Sequence, residues 1–129
     1  MRRVAPGVSV GKVLIQRDEA TADKAPRLFY AKLPGAVRDP SQTVLLCDPM
    51  LATGGSAAMA IRELVRAGVD EARIVFLCVV ACPEGIATLA AAHPRVRVVC
   101  AAVDEKLKEQ RYIVPGLGDF GDRYFGTTH

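Results

Sequence analysis

No run of apolar residues in this 129-residue chain approaches the roughly 20 that a membrane-crossing helix needs. Arg2 and Arg3 stand near the start, but no apolar stretch follows them, so the beginning does not read as a secretory signal. A stripe of Lys and Arg is also missing. The net charge is only +3 and the basic residues are scattered, which argues against a nucleic-acid surface and leaves a small anionic ligand open. Internal repeats and low-complexity segments are absent. Of the four cysteines only Cys78 and Cys82 are close in sequence, whereas a zinc site wants close pairs. Cys47, Cys78 and Cys100 lie in or beside apolar runs, where a reduced thiol behaves as a small hydrophobe. Neither a metal site nor a disulfide is expected, and a reducing, cytoplasmic location follows. The two histidines are placed at a predicted helix end (His93) and at the end of the chain (His129), so neither reads as a catalytic base.

What is present is the balance of a globular domain, half apolar and a quarter charged. A chain of this length fits one domain, residues 1–129, able to bury roughly two-thirds of the surface its unfolded form exposes. Residues 8–15 are β-branched and apolar and read as a strand. Residues 16–26 are polar and read as a loop, and residues 27–33 read as an outlying strand ended by Pro34 and Gly35.

The middle of the chain alternates strand and helix. Residues 43–47 form a short apolar strand that stops at Asp48 and Pro49. A helix is expected over 56–67, with Met59, Ile61, Leu64 and Val65 as its apolar positions and Gly68 as its end. A second apolar strand covers 74–80. A second helix covers 84–93, with Ile86, Leu89 and Ala90 inward and Pro94 as the stop, and a third strand covers 96–101. This pattern predicts an α/β fold with a mostly parallel sheet covered on both faces, its ligand lying beyond the carboxyl ends of the strands. Residues 112–123 hold four glycines and a proline, which excludes regular helix or a long strand and suggests backbone brought close to something.

The most informative segment is Asp48-Pro49-Met50-Leu51-Ala52-Thr53-Gly54-Gly55-Ser56. A strand delivers the chain to a turn, two glycines remove Cβ obstruction, and a helix begins with free N–H groups and a dipole that favour an anion. Thr53 and Ser56 add hydroxyl donors. Ser56 stands where a Walker loop would need lysine, and Gly-x-Gly-x-x-Gly is absent. A plain turn with Ser56 as helix cap is the other reading. Asp48 weighs against it, because a carboxylate at the strand end is placed to accept hydrogen bonds from sugar hydroxyls.

Together with Leu45-Leu46-Cys47 this segment closely resembles the loop by which uracil phosphoribosyltransferases bind 5-phosphoribosyl-1-pyrophosphate (PRPP). Residues 112–119 resemble the same family's uracil-binding hood, and Asp122-Arg123-Tyr124-Phe125-Gly126-Thr127 its C-terminus. Arg17-Asp18-Glu19-Ala20-Thr21, Lys32-Leu33-Pro34 and Ala81-Cys82-Pro83-Glu84-Gly85-Ile86 are further matches in the right order.

The resemblance implies a type I phosphoribosyltransferase-like fold with a glycine-rich hood, transferring the phosphoribosyl group of PRPP to uracil to form UMP and pyrophosphate. It implies that the 5-phosphate sits on Thr53, Gly54, Gly55 and Ser56, with Pro49, Met50, Leu51 and Ala52 completing the loop. Asp48 would hold ribose hydroxyls and Arg17 would reach phosphate oxygens. Uracil would be read largely by backbone at Ile113, Gly118, Asp119 and Phe120, with Asp119 also near PRPP; Phe120 departs from the family's usual alanine. Asp48 and Asp119 are the implied catalytic residues, Mg²⁺ would arrive on PRPP, and a homodimer is implied. An N-terminal strand and arginine loop for pyrophosphate have no counterpart here, so the chain is expected to be N-terminally incomplete. The alternative function is a truncated, non-catalytic PRPP- or UMP-binding module with a regulatory role.

Overall fold

The computed structural model describes residues 3, 5–17 and 25–127. It opens on an antiparallel ribbon of β1 (Lys12–Arg17) and β2 (Pro26–Lys32), in register from Lys12 opposite Lys32 to Arg17 opposite Pro26. The first strand therefore lies further along than the expected 8–15. Apolar content suggested the earlier start, but ladder pairing decides where a strand exists, and β2 offers partners up to Arg17.

The central sheet is parallel. β3 (Val44–Cys47) and β4 (Met50–Leu51) both pair with β5 (Ile74–Ala81), Val44 opposite Ile74 and Leu51 opposite Ala81. The two pairings share one register, so β3 and β4 are one strand line interrupted at Asp48 and Pro49. At the interruption the Pro49 carbonyl accepts from the amides of Val79 at 2.9 Å and Val80 at 3.2 Å. β6 (Arg97–Val103) lies on the other side of β5, Cys78 opposite Cys100.

Two helices connect these strands, α1 (Gly55–Arg66) and α2 (Pro83–Ala92). Pro83 opens α2, where a missing N–H costs nothing. Ile61 and Leu64 of α1 and Leu89 of α2 join Ile74 and Phe76 of β5 in a single core. Ile61, Ile74 and Phe76 have no solvent exposure, and each such burial stabilises the fold by about 1.5–3 kcal/mol.

The inward positions differ in part from the expected ones. Ala57, Ala60, Ile61 and Leu64 form the buried stripe of α1, while Val65 is exposed; Ala90 of α2 is also exposed. Small residues replace Met59 and Val65 at the interface because α1 packs closely against the sheet and α2.

Coverage of the sheet also departs from expectation. The strands follow in one direction across the sheet, and right-handed crossovers then bring both helices to the same face. Among the described residues no helix covers the other face, where Leu45, Val79 and Val99 are exposed.

The tail forms a short ribbon, β7 (Lys106–Leu107) with β8 (Ile113–Val114), and a final turn and a half of helix, α3 (Phe120–Phe125). This helix corrects the expectation that residues 112–123 hold none. Asp119 caps it by accepting from the Asp122 amide at 2.9 Å, and Gly126, at φ +69°, ends it. Among the described residues no helix is long and apolar enough to cross a membrane.

Candidate functional site

Asp48 ends β3 at the carboxyl edge of the sheet, its amide donating to the Leu77 carbonyl at 3.0 Å. The chain then pairs briefly as β4 and turns through Ala52 and Thr53 into α1. Gly54 occupies the left-handed region at φ +80°, ψ −13°, and precedes the helix without offering a side chain to cap it. Ser56, the cap in the plain-turn alternative, is instead inside α1. Among the described residues the first-turn amides thus receive no cap from the N-cap side chain, and the nearest side-chain acceptor is Thr53 Oγ1, a long 3.5 Å from Gly55 N–H. Orphan donors and the positive end of the helix dipole meet at this turn.

Asp48, Met50, Leu51, Ala52, Thr53, Gly54 and Ser56 surround a cavity of about 150 Å³ at the same place. The sequence-predicted loop residues are therefore brought together, Pro49 serving as the strand interruption that swings the chain outward. The loop rests on α2. A Cβ on Gly54 would stand 3.0 Å from the Gly85 carbonyl and 3.1 Å from Cβ of Thr88. Cys82, buried at the start of α2, places its Sγ 3.1 Å from the Ala52 carbonyl. Burial pushes the Cys82 thiol up, as it does those of Cys47 and Cys78, the last to about 11. These thiols stay protonated near neutral pH and are poor nucleophiles.

The hood packs on the loop from the other side. Ile113 is buried with Val80 and Cys82, and Met50, Ala52, Leu107 and Leu117 close around them. Its side chain is thus a core element. The Gly116 amide donates to Asp104 at 2.8 Å, and the Leu107 amide donates to Glu84 at 3.0 Å, a bond that holds the Glu84 carboxyl below its ordinary range. Gly118 adopts φ +73° in the turn that follows. Asp119 is exposed and engaged as the cap of α3; Phe120 stacks on Tyr124 with ring centroids 5.6 Å apart.

The sequence model of the family described as uracil phosphoribosyltransferase matches residues 1–127. This chain belongs to the uracil phosphoribosyltransferase family. It is 51% identical over 127 residues to the uracil phosphoribosyltransferase of Dictyostelium discoideum, covering 98% of this chain and 57% of that protein. Against the Saccharomyces cerevisiae uracil phosphoribosyltransferase the identity is 52% over 125 residues, covering 97% and 56% respectively. A solved structure, the AQ2163 protein from Aquifex aeolicus, is similar with a TM-score of 0.82 and 31% identity over 98% of this chain and 58% of that one. The chain spans a little over half the length of the curated relatives it matches.

Family membership agrees with the resemblance read from the loop and hood. β1 ends at Arg17, and residues 18–21 of that motif lie outside the described residues, as does His129. His93 has a packing role: Nδ1 lies 2.7 Å from Glu71 and Nε2 3.2 Å from the Ala58 carbonyl, tying the end of α2 to α1. Cys82 and Gly85 belong to the resemblance in sequence, but their support of the loop is visible only in the fold. A glycine in the first turn of a helix, where it costs about 1 kcal/mol relative to alanine, was the signal available. Nothing in the sequence pointed to Asp104 as the anchor of the hood.

Proposed function

We propose that this chain carries the 5-phosphate cradle and the uracil-reading hood of a uracil phosphoribosyltransferase. The observation that carries the reading is the uncapped start of α1 behind Gly54, with Asp48 and the hood packed around the same loop. The amides of the first turn, with the Thr53 and Ser56 hydroxyls, bind the 5-phosphate. Asp48 accepts from the ribose hydroxyls and fixes the ring. Arg17 engages phosphate oxygens. The backbone of Ile113, Gly118, Asp119 and Phe120 reads the uracil edge.

In the reaction the C1–oxygen bond of PRPP breaks with its electron pair going to pyrophosphate. The N1 lone pair of uracil forms the new bond to C1, and the N1 proton passes to water. Positive charge develops on the ribose in between, and the Asp48 and Asp119 carboxylates stabilise it by position and charge. Among the described residues no cluster of three His, Cys, Asp or Glu could hold a metal. A donor set of one carboxylate beside a phosphate cradle suits Mg²⁺ that arrives on its substrate, since Mg²⁺ takes one or two carboxylates plus phosphate oxygens. When bound, Mg²⁺ neutralises charge on the departing pyrophosphate. In the same reading the protein acts as a single domain in the cytoplasm, where its four free thiols persist, and as a homodimer.

The test is to incubate purified protein with Mg²⁺, PRPP and labelled uracil beside an Asp48→Asn control. UMP formed by the wild type alone supports the enzyme. Absence of UMP from folded protein that still binds PRPP favours the non-catalytic binding module instead.

A further inference from the structure

Asp104 lies outside the residues assigned to substrate, yet it holds the backbone that reads the base. β6 ends at Val103, and the Asp104 amide extends its ladder by donating to the Ala81 carbonyl of β5 at 2.8 Å. The residue is thereby fixed to the carboxyl edge of the central sheet. One position later the Glu105 amide donates to the Val114 carbonyl at 3.0 Å, where the β7–β8 ribbon begins. From this foothold the partly buried Asp104 side chain reaches the turn after β8 and accepts from the Gly116 amide through Oδ2 at 2.8 Å.

Gly116 is the closed side of that turn. It takes φ +57°, and a Cβ there would collide with the Ile113 carbonyl oxygen, so its backbone is folded directly onto that of Ile113. Gly118 is the open side: it takes φ +73°, and a Cβ there would meet no atom within 4 Å. The two stretches of backbone that the proposed function gives to uracil, Ile113 before the turn and Gly118 to Phe120 after it, are joined through Gly116. A backbone donor or acceptor has no rotamer with which to adjust, so it recognises a base edge only when it is held in place beforehand. Glycine backbone is the most freely moving part of a chain, and here a carboxylate, the stronger kind of acceptor for an N–H, restrains it.

We propose that Asp104 is a positioning residue for the base. Through the Gly116 amide it sets the angle between Ile113 and Gly118–Phe120, and so the affinity for the hydrogen-bonding edge of uracil, without touching the base or the phosphoribosyl group. The inference rests on the proposed reading of the hood. It does not depend on catalysis, and its test reads binding alone.

The full chain is titrated calorimetrically with UMP and with ribose 5-phosphate, which lacks the base and reports on the cradle. The wild type should bind UMP more tightly. Asp104→Ala should lower UMP affinity about tenfold and leave that for ribose 5-phosphate unchanged. Asp104→Asn keeps an acceptor oxygen at the same reach and should hold UMP affinity within about threefold of the wild type. Asp104→Glu moves the acceptor outward by one methylene and should fall with the alanine variant; it carries the test if Asp104→Ala does not fold by circular dichroism. The proposal alone is overturned if a wild type that prefers UMP loses none of that preference in the folded alanine or glutamate variant. It is also overturned if the two affinities fall together, the mark of a merely structural role, or if Asp104→Asn is as weak as Asp104→Ala. A wild type that binds UMP and ribose 5-phosphate equally, or binds neither, overturns the reading of the hood and the proposal with it.

Discussion

The backbone of Gly85 lies directly against the Ala52 carbonyl, so that a Cβ at position 85 would collide with that oxygen and stand 2.6 Å from the carbonyl of Leu51. The start of α2 is thereby pressed onto the back of the phosphate loop. Side chains at the front of the loop are free to face a ligand because its rear is held by backbone contact and by Cys82.

Gly85→Ala should therefore force α2 and the loop apart. Overpacking of this kind costs about 1–3 kcal/mol, and the expected outcome is a lowered midpoint of thermal unfolding with weakened PRPP binding. An unchanged midpoint together with unchanged PRPP affinity would show that the contact is easily relaxed.

Gly54 and Gly55 should behave differently although they are neighbours. Gly54 holds a left-handed φ and has Gly85 and Thr88 within 3.0–3.1 Å of its virtual Cβ. Gly54→Ala should cost about 1–3 kcal/mol, from backbone strain. At Gly55 the nearest atom is Cγ of Pro26 at 3.4 Å, an ordinary contact. Gly55→Ala should leave denaturant unfolding nearly unchanged, while the bulkier Gly55→Val crowds Pro26 and the Thr53 hydroxyl and should abolish PRPP binding by calorimetry.

Asp48→Asn removes charge and an acceptor at the carboxyl end of β3. The expected outcome is loss of PRPP binding in a folded protein, measured by calorimetry alongside circular dichroism. Unchanged affinity would remove Asp48 from the site.

Phe120→Ala should lower or raise uracil affinity without altering that for PRPP, since the phenyl ring stacks on Tyr124 within α3. A tenfold fall in PRPP binding would contradict the separation of hood from cradle.

Stability should fall in acid partly through Glu71. Its hydrogen bond to His93, then that from the Arg95 amide, holds the carboxyl below its ordinary value of 4.5. A depressed carboxyl contributes stability that is present above its unfolded value and lost as pH falls through the folded one. Glu71→Gln should thus flatten the decline of unfolding free energy below about pH 4.5. A parallel decline in the variant would place the acid sensitivity elsewhere.

The sequence by itself determined the phosphate loop, the order of parallel strands and helices, and the family, because each rests on local chemistry. Apolar runs bounded by Asp48-Pro49 and Thr53-Gly54-Gly55-Ser56 declare a strand, a turn and a helix start within a dozen residues. Tertiary structure alone decided where β1 begins, since a ladder exists only where β2 offers a partner. It decided that Ala57 and Ala60, and not Met59 and Val65, face the core, because that depends on how closely α1 approaches the sheet. It set Gly85 behind the loop and Asp104 beneath the hood, contacts between residues distant in the chain. It also left one sheet face uncovered, because the direction of the crossovers, which no local pattern records, brings both helices to the same side.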